Sequence, residues 1–127
     1  MNRRMLAACV LSFTVGAAGM WAQQQGATSV TQRIPQFEND QVKVWKSIIM
    51  PNQPLTQHRH EHGRSLIALT DGQVDVVDKD GKVKNSMIWE RGKAYWLDAD
   101  PPVVTHADVN RSGKPIEVIV VELKKDR

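Results

Sequence analysis

The sequence predicts an all-β fold, a sandwich or closed barrel, for the part of the chain after residue 40. β-branched and aromatic residues gather in short runs, and turn-forming pairs such as Asp71-Gly72 and Asp80-Gly81 interrupt them about every ten residues. Residues 41–123 show no sustained 3.6-residue periodicity with helix caps and no internal repeat. We therefore expect one β-barrel domain over residues 41–123, with residues 124–127 as a tail.

The β-prone segments follow one another with short connections. Residues 74–77 and 83–89 flank a turn that contains Gly81, and together they predict a β-hairpin. The remaining segments are residues 42–50, 66–69, 94–97, 103–104 and 116–121.

Residues 1–22 have the order of a cleaved secretion signal. Two arginines precede an uncharged apolar run over residues 5–21, and small residues lead to an expected cut after Ala22. The run is shorter than the ~20 residues of a membrane span, which argues against the alternative of a retained anchor. A lipid anchor at Cys9 is disfavoured because the apolar run continues past it. We therefore expect an exported protein, periplasmic or extracellular, without a membrane span after cleavage.

Residues 23–40 are polar and are expected to form a short flexible arm.

The chain has 17 basic and 14 acidic residues, and two of the basic ones lie in the leader, so the mature domain is close to neutral. Its charges are mixed in sign and form no basic patch with interleaved aromatics, which argues against nucleic acid as a partner. The one cysteine also lies in the leader, so the domain has no disulfide. A domain of this size has room for a homodimer interface.

The histidines are the main chemical signal. His58, His60 and His62 alternate along the chain, and His106 follows far downstream. If residues 58–62 are extended, their alternation places these imidazoles on one face. Two neighbouring imidazoles and a third from a distant strand can hold a divalent metal with open positions for water or substrate. Histidines in a metal-free polar turn or on a surface strand would show the same spacing, so both interpretations stay open at this point.

Two longer segments resemble the cupin superfamily. Residues 58–72 read HRHEHGRSLIALTDG, and residues 92–110 read GKAYWLDADPPVVTHADVN. The residues that match the two cupin motifs are His58, His60 and Gly72 in the first, and Gly92, Pro101, His106 and Asn110 in the second. The resemblance covers residues 41–123 and implies a cupin-type jelly-roll β-barrel.

The chain departs from the cupin pattern at several positions. The glutamate of the first motif falls on Ser65, or on Arg64 if the spacing is one residue shorter, and neither replaces a carboxylate ligand. The second motif has three extra residues, 98–100, and Val103 where a glycine is usual. The resemblance therefore implies at most a three-histidine metal site, built from His58, His60 and His106. Iron, zinc, manganese, nickel and copper are not distinguished, and some cupins have lost the metal.

Several further residues around this site have more than one expected role. We expect His62 at the cavity mouth, as a hydrogen-bonding or proton-shuttling group, because Gly63 should bend the chain; the alternative is that His62 is a further ligand. Arg64 is expected to be exposed at a strand edge, with the binding of an anionic group as the alternative.

Three aspartates near His106 are candidates for a general base or for a hydrogen-bond partner of His106, and nothing in the sequence selects one of them: Asp98, Asp100 and Asp108. Asn110 is expected to orient its turn. The large aromatic residues are Trp45, Trp89, Tyr95 and Trp96. We expect most of them to pack in the core or at a dimer interface and one or two to line the cavity.

Together these features favour an exported cupin-like barrel that binds a divalent metal and a small-molecule ligand. Its chemistry would be that of a metal-dependent oxygenase, or of an isomerase or hydrolase. The alternative is a non-catalytic ligand-binding or sensing barrel without metal, which the lack of an evident general base beside the histidines supports. A structural module with incidental histidines is disfavoured because all four histidines lie in the two motif segments.

Overall fold

The computed structural model describes residues 30–125, and this part of the chain is all β. The strands are β1 (Gln32–Glu38), β2 (Val42–Ile49), β3 (Arg64–Ala68), β4 (Gly72–Val77), β5 (Val83–Trp89), β6 (Ala94–Leu97), β7 (Ala107–Asn110) and β8 (Ile116–Leu123). They form two antiparallel sheets, one in the order β1-β2-β8-β3-β6 and one in the order β5-β4-β7. The predicted all-β fold is confirmed. The expected secretion signal lies outside the described residues, and among residues 30–125 there is no helix with the length and apolarity needed to span a membrane.

Part of the segment expected to be a flexible arm is a strand. Residues 32–38 form β1, which pairs with β2 and places Arg33 opposite Ser47. Nearly all β1 side chains are exposed, so the strand is held by its hydrogen bonds to β2 more than by apolar burial. A strand held in this way carries no hydrophobic alternation, which is why composition alone predicted an arm.

The core lies between the two sheets. Alternate residues of β2 and β8 face inward, and Trp45 lies opposite Val120 in the ladder. The buried cluster contains residues of both sheets: Trp45, Ile49, Leu66, Ala68, Val74, Trp89, Ile116, Val118 and Val120. Burying an aliphatic side chain of this kind stabilises the fold by about 1.5–3 kcal/mol. The domain therefore relies on apolar packing, as expected for a chain without a disulfide.

The hairpin predicted between the two motifs is present. β4 pairs with β5 in antiparallel register, and Gly81 adopts a positive φ of 79° in the turn between them. Gly72, at the start of β4, lies against Ile116, and a Cβ added there would be 2.4 Å from Ile116 Cδ1. The glycine is needed for this close approach.

The strand predicted at residues 103–104 is absent. Val103 is 96% exposed and has a φ of 59°, a conformation that β-branched residues rarely adopt. Residues 101–105 instead form a turn-containing loop, and the next strand, β7, begins at Ala107. The prediction was wrong because two adjacent valines are β-prone in isolation, whereas the chain turns at this point. Val103 occupies the position where the cupin pattern usually has a glycine, in keeping with its positive φ.

Candidate metal centre

The two histidine segments are joined through their backbones. His58 and His106 form an isolated antiparallel bridge, in which each N–H donates to the other residue's carbonyl at 2.9 and 2.8 Å. His60 is tied to the same region, because its N–H donates to the Asp100 carboxylate at 2.6 Å and its carbonyl accepts the Asp100 N–H at 2.8 Å. These contacts bring the imidazoles of His58, His60 and His106 together, with one ligand atom of each within 4.8 Å of the others.

Each of the three imidazoles has an oxygen acceptor beside its Nδ1 atom. The acceptors for His58, His60 and His106 are, in turn, the Thr56 carbonyl at 2.7 Å, the Glu122 carboxylate, and the Asp100 carboxylate at 3.3 Å. An acceptor at Nδ1 favours the tautomer that carries its proton there, which leaves the Nε2 lone pair free. Metal-ligating histidines are commonly supported in this way.

The imidazole of His58 has one buried nitrogen without a hydrogen-bond partner among the described residues. Leaving this atom, Nε2, without a partner costs about 1–3 kcal/mol. Burial lowers the pKa of His58 to about 4, and burial also lowers the pKa of His106. His58 is therefore neutral at pH 7, with its Nε2 lone pair directed into the cluster. A divalent transition metal fits this donor set.

His62 lies outside the group of three. Residues 61 and 62 form a bend, so the extended alternation that would have aligned three histidines ends at His60. The sequence suggested a bend at Gly63, whereas the chain turns just before it. Gly63 instead packs against the Trp96 ring, where an added Cβ would lie 2.3 Å from Cζ2.

The structure distinguishes among the three aspartates that the sequence left equivalent. Asp100 contacts both His60 and His106, and Asp108 Oδ1 lies 4.0 Å from His106 Nε2. Burial raises the pKa of Asp108. Asp98 is occupied elsewhere, because its carboxylate accepts a hydrogen bond from Trp96 Nε1 at 2.9 Å. Two carboxylates therefore accompany the histidines from the loop and strand around His106.

Sequence reasoning missed Glu122, whose carboxylate contacts His60 Nδ1. This residue lies on β8 opposite Arg64 of β3. Its inward position continues the alternation of Val118 and Val120, both buried. That alternation was visible in the sequence and would have placed Glu122 on the inner face, although not beside His60.

Two of the three histidines, His60 and His106, line a cavity of about 370 Å³. Its apolar wall includes Ile49, Leu66, Val118 and Val120, and three of the four large aromatics also line it: Trp45, Trp89 and Trp96. The fourth, Tyr95, packs against the core. The aromatics therefore line the cavity more extensively than the sequence predicted.

Arg64 is buried and lines this cavity, so the expectation of an exposed strand-edge residue was wrong. It faces inward because it lies on β3 two residues before the buried Leu66. Its Nη1 donates to the Asp98 carbonyl at 3.0 Å.

Asn110 has the structural role expected of it. The residue is fully buried, and its Nδ2 donates to the carbonyls of Ile49 and Lys114 at 2.8 and 2.6 Å. Its Oδ1 accepts hydrogen bonds from the backbone and the hydroxyl of Ser112. Asn110 thus shapes the β7–β8 connection.

Several solved structures share this architecture. The chain is similar to a cupin domain from Bordetella pertussis Tohama I, with a TM-score of 0.65 and 23% identity over 76% of this chain and 95% of that one. It is also similar to an RmlC-like cupin family protein with a double-stranded β-helix fold from Methanocaldococcus jannaschii, with a TM-score of 0.58 and 12% identity over 78% and 84% of the two chains. A cupin superfamily protein from Desulfitobacterium hafniense DCB-2 has a TM-score of 0.57 and 8% identity over 82% of this chain and 86% of its own.

No protein-family model and no curated protein matches the chain. Likeness to solved structures at these identities shows a shared fold and leaves the activity to be argued from the site. The two antiparallel sheets and the solved structures together establish that this chain has the cupin fold, a double-stranded β-helix, with a three-histidine cluster compatible with a metal site.

Proposed function

We propose that this protein binds a divalent transition metal through His58, His60 and His106 and holds a small-molecule ligand beside it. The observation that carries the proposal is the buried Nε2 of His58, which lacks a hydrogen-bond partner among the described residues and lies next to two further imidazoles. Thr56, Glu122 and Asp100 orient the three rings through their Nδ1 atoms. Because the ligands are neutral imidazoles, the ion would keep its full charge and attract an anionic ligand.

The cavity next to the histidines suits a small ligand. Its volume of about 370 Å³ lies within the ~300–1,000 Å³ usual for ligand pockets. It combines apolar side chains with His60 and His106, which would orient a ligand with its polar group toward the metal centre. When bound there, a metal ion supplies Lewis-acid polarisation of the ligand or activation of water or oxygen.

The carboxylates favour a catalytic role over passive binding. Asp108 lines the cavity with its Oδ1 atom 4.0 Å from His106 Nε2, so it is positioned to accept a proton from a ligand bound in the cavity beside the cluster. Asp100 holds the His60 backbone and the His106 ring in place. This arrangement is compatible with oxygenase, isomerase or hydrolase chemistry.

Zinc titration of chelator-treated protein tests the metal site. We expect one tight site per chain in the wild type, and a loss of at least tenfold in affinity in His58→Gln and in His106→Gln, because each variant removes an imidazole ligand. The matched control is His62→Gln, which lies outside the cluster and should bind zinc like the wild type. Wild-type affinity in both cluster variants, or an equal loss in His62→Gln, would contradict the proposed site. Elemental analysis of the purified wild type then identifies which of the transition metals it carries.

We further propose that the protein is exported after cleavage following Ala22. Support comes from the composition of residues 1–22, in which two arginines precede an uncharged apolar run and small residues. The intact mass of the protein recovered from its native compartment tests this proposal. We expect a chain that begins at Gln23, and a mature protein that retains residues 1–22 would overturn it.

A further inference from the structure

Two arginines from different strands line the cavity next to the histidines. Arg64 of β3 is only 7% exposed, although arginine is among the residues least often buried. Arg33 of β1 lies opposite the buried, cavity-lining Ser47 in the strand ladder, so the two share a face of the sheet. Both arginines therefore direct positive charge toward the same space as His60 and His106.

The guanidinium of Arg64 has donors to offer to a ligand. A guanidinium carries five N–H donors, and the bond to the Asp98 carbonyl at 3.0 Å uses one of them. That partner is a neutral carbonyl, whereas the nearby carboxylates of Glu122 and Asp100 contact the rings of His60 and His106. Burial lowers the pKa of Arg64 and of Arg33, although Arg33 keeps an exposed surface. The nearby carboxylates of Asp100, Asp108 and Glu122 offset only part of the cost of burying positive charge at Arg64. A bound anion would offset that cost.

The guanidinium of Arg33 packs over the ring of Trp45, which lines the cavity. The guanidinium carbon lies 5.2 Å from the centroid of the Trp45 ring, within cation–π range. His60 is a second neighbour of Trp45, and its ring is parallel to the indole to within 2° at a centroid distance of 6.0 Å. The Trp45 ring thus contacts both the Arg33 guanidinium and the His60 ring of the proposed metal centre.

We infer that Arg64 and Arg33 form an anion subsite that binds the carboxylate of a small ligand, whose apolar body lies on the wall formed by Ile49, Leu66, Val118 and Val120. The inference rests on the proposed function in that it places this ligand beside the metal centre. Planar carboxylates match the guanidinium fork, and the apolar wall excludes a purely inorganic anion as the preferred occupant. The volume of about 370 Å³ equals roughly a dozen water molecules, which limits the ligand to a compact acid.

The test compares benzoate with benzamide, which has nearly the same shape but no charge. Binding is measured by calorimetry on both metal-free and zinc-loaded protein, because a carboxylate can also ligate zinc directly. In metal-free protein we expect benzoate to bind at least about tenfold more tightly than benzamide, since charged hydrogen bonds contribute more than neutral ones. We expect inorganic sulfate to bind more weakly than benzoate.

The variants are Arg64→Gln, Arg64→Lys and Arg33→Gln, with Arg91→Gln as a control at an exposed arginine that lines neither this cavity nor its neighbour. We expect a loss of about tenfold in benzoate affinity for each glutamine variant, an intermediate loss for Arg64→Lys, and none for Arg91→Gln. If Arg64→Gln does not fold, Arg33→Gln and Arg64→Lys still decide the outcome.

Three results would overturn the subsite: equal binding of benzamide and benzoate, sulfate binding as tight as benzoate, or wild-type benzoate affinity in the folded arginine variants. Zinc titration of the same variants separates this inference from the proposed function. Normal zinc binding without charge-dependent benzoate binding refutes the anion subsite alone. Charge-dependent benzoate binding by a protein that binds no zinc refutes the metal site alone.

Discussion

In the histidine cluster, each imidazole has one oxygen acceptor beside its Nδ1 atom. Glu122 is the most informative of these acceptors, because it comes from β8 and reaches His60 across 62 residues of sequence. Asp100 lies in the loop before β7, and Thr56 in the loop before His58. Two of the three acceptors, Thr56 and Glu122, therefore lie outside the two motif segments.

Glu122→Gln tests this positioning role. Glutamine keeps the size of the side chain but removes the charge that stabilises the His60 Nδ1 proton, so we expect zinc affinity to fall by about 10–100-fold. The matched control on the same strand is Glu117→Gln. Glu117 pairs with the half-buried Lys46 at 3.1 Å, so this variant should bind zinc normally. Equal affinities in the two variants, measured by competition with a chelating dye, would show that Glu122 does not position the ring.

At the scale of the strands, close packing decides which residue can stand at the start of β4. Gly72 lets β4 lie against Ile116, the first residue of β8, which is completely buried. A side chain at this point would push the smaller sheet away from the larger one. The glycine that the sequence marked as part of a motif is thus a packing requirement between sheets.

Gly72→Ala should destabilise the fold by about 1–3 kcal/mol, because the new methyl group would lie 2.4 Å from Ile116 Cδ1 in a filled core. Gly113→Ala is the control, since nothing lies within 4 Å of an added Cβ there. Urea unfolding of both variants measures the difference. A Gly72→Ala midpoint equal to that of Gly113→Ala would mean that the two sheets adjust to the methyl group without cost.

The β4–β5 turn depends on Asp78, and this dependence varies with pH. The Asp78 carboxylate accepts the N–H groups of Lys82 and Asp80 at 2.9 Å each, and these bonds, Lys82 first, lower its pKa. A lowered folded-state pKa means that the contribution of Asp78 to stability is fully present above the unfolded pKa of about 3.9 and is lost as pH falls through the folded value.

Asp78→Ala should therefore destabilise the protein at pH 7 by more than it does at pH 2.5. Urea midpoints of the variant and the wild type at the two pH values measure this difference. Asp80→Ala, in the same turn, serves as the control, because the Asp78 bond uses only the backbone N–H of that residue. A pH-independent difference for Asp78→Ala would show that the carboxylate charge does not matter in this turn.

For the whole molecule, the proposed metal binding would be linked to folding. The ligands come from the loop before β3 and from the residue preceding β7, so an unfolded chain does not hold them together. A metal that binds only the folded state stabilises it by about 2.7 kcal/mol at a free concentration of 100 times Kd.

Zinc should accordingly raise Tm by on the order of 10 °C at that concentration, given the size of the domain. Magnesium, which prefers oxygen ligands, should leave Tm unchanged. Calorimetric scans of the wild type and of a His58→Gln/His106→Gln double variant provide the comparison. A zinc-dependent shift of equal size in the double variant would place the stabilising ion somewhere else.

The amino-acid sequence alone determined the all-β class, the β4–β5 hairpin and the three histidines that meet, because alternation, turn residues and motif spacing are local properties. Only the tertiary structure decided that residues 32–38 pair as β1, that Val103 turns, and that His62 leaves the cluster. It also decided that Glu122 contacts His60 and that Arg64 lines the same cavity as His60 and His106. The pairing of β1 with β2 and the contact of Glu122 with His60 join residues far apart in the chain, and no local pattern in either segment specifies its partner. The turn at Val103 and the bend before Gly63 are local, but the residues there do not have the composition of a turn or bend.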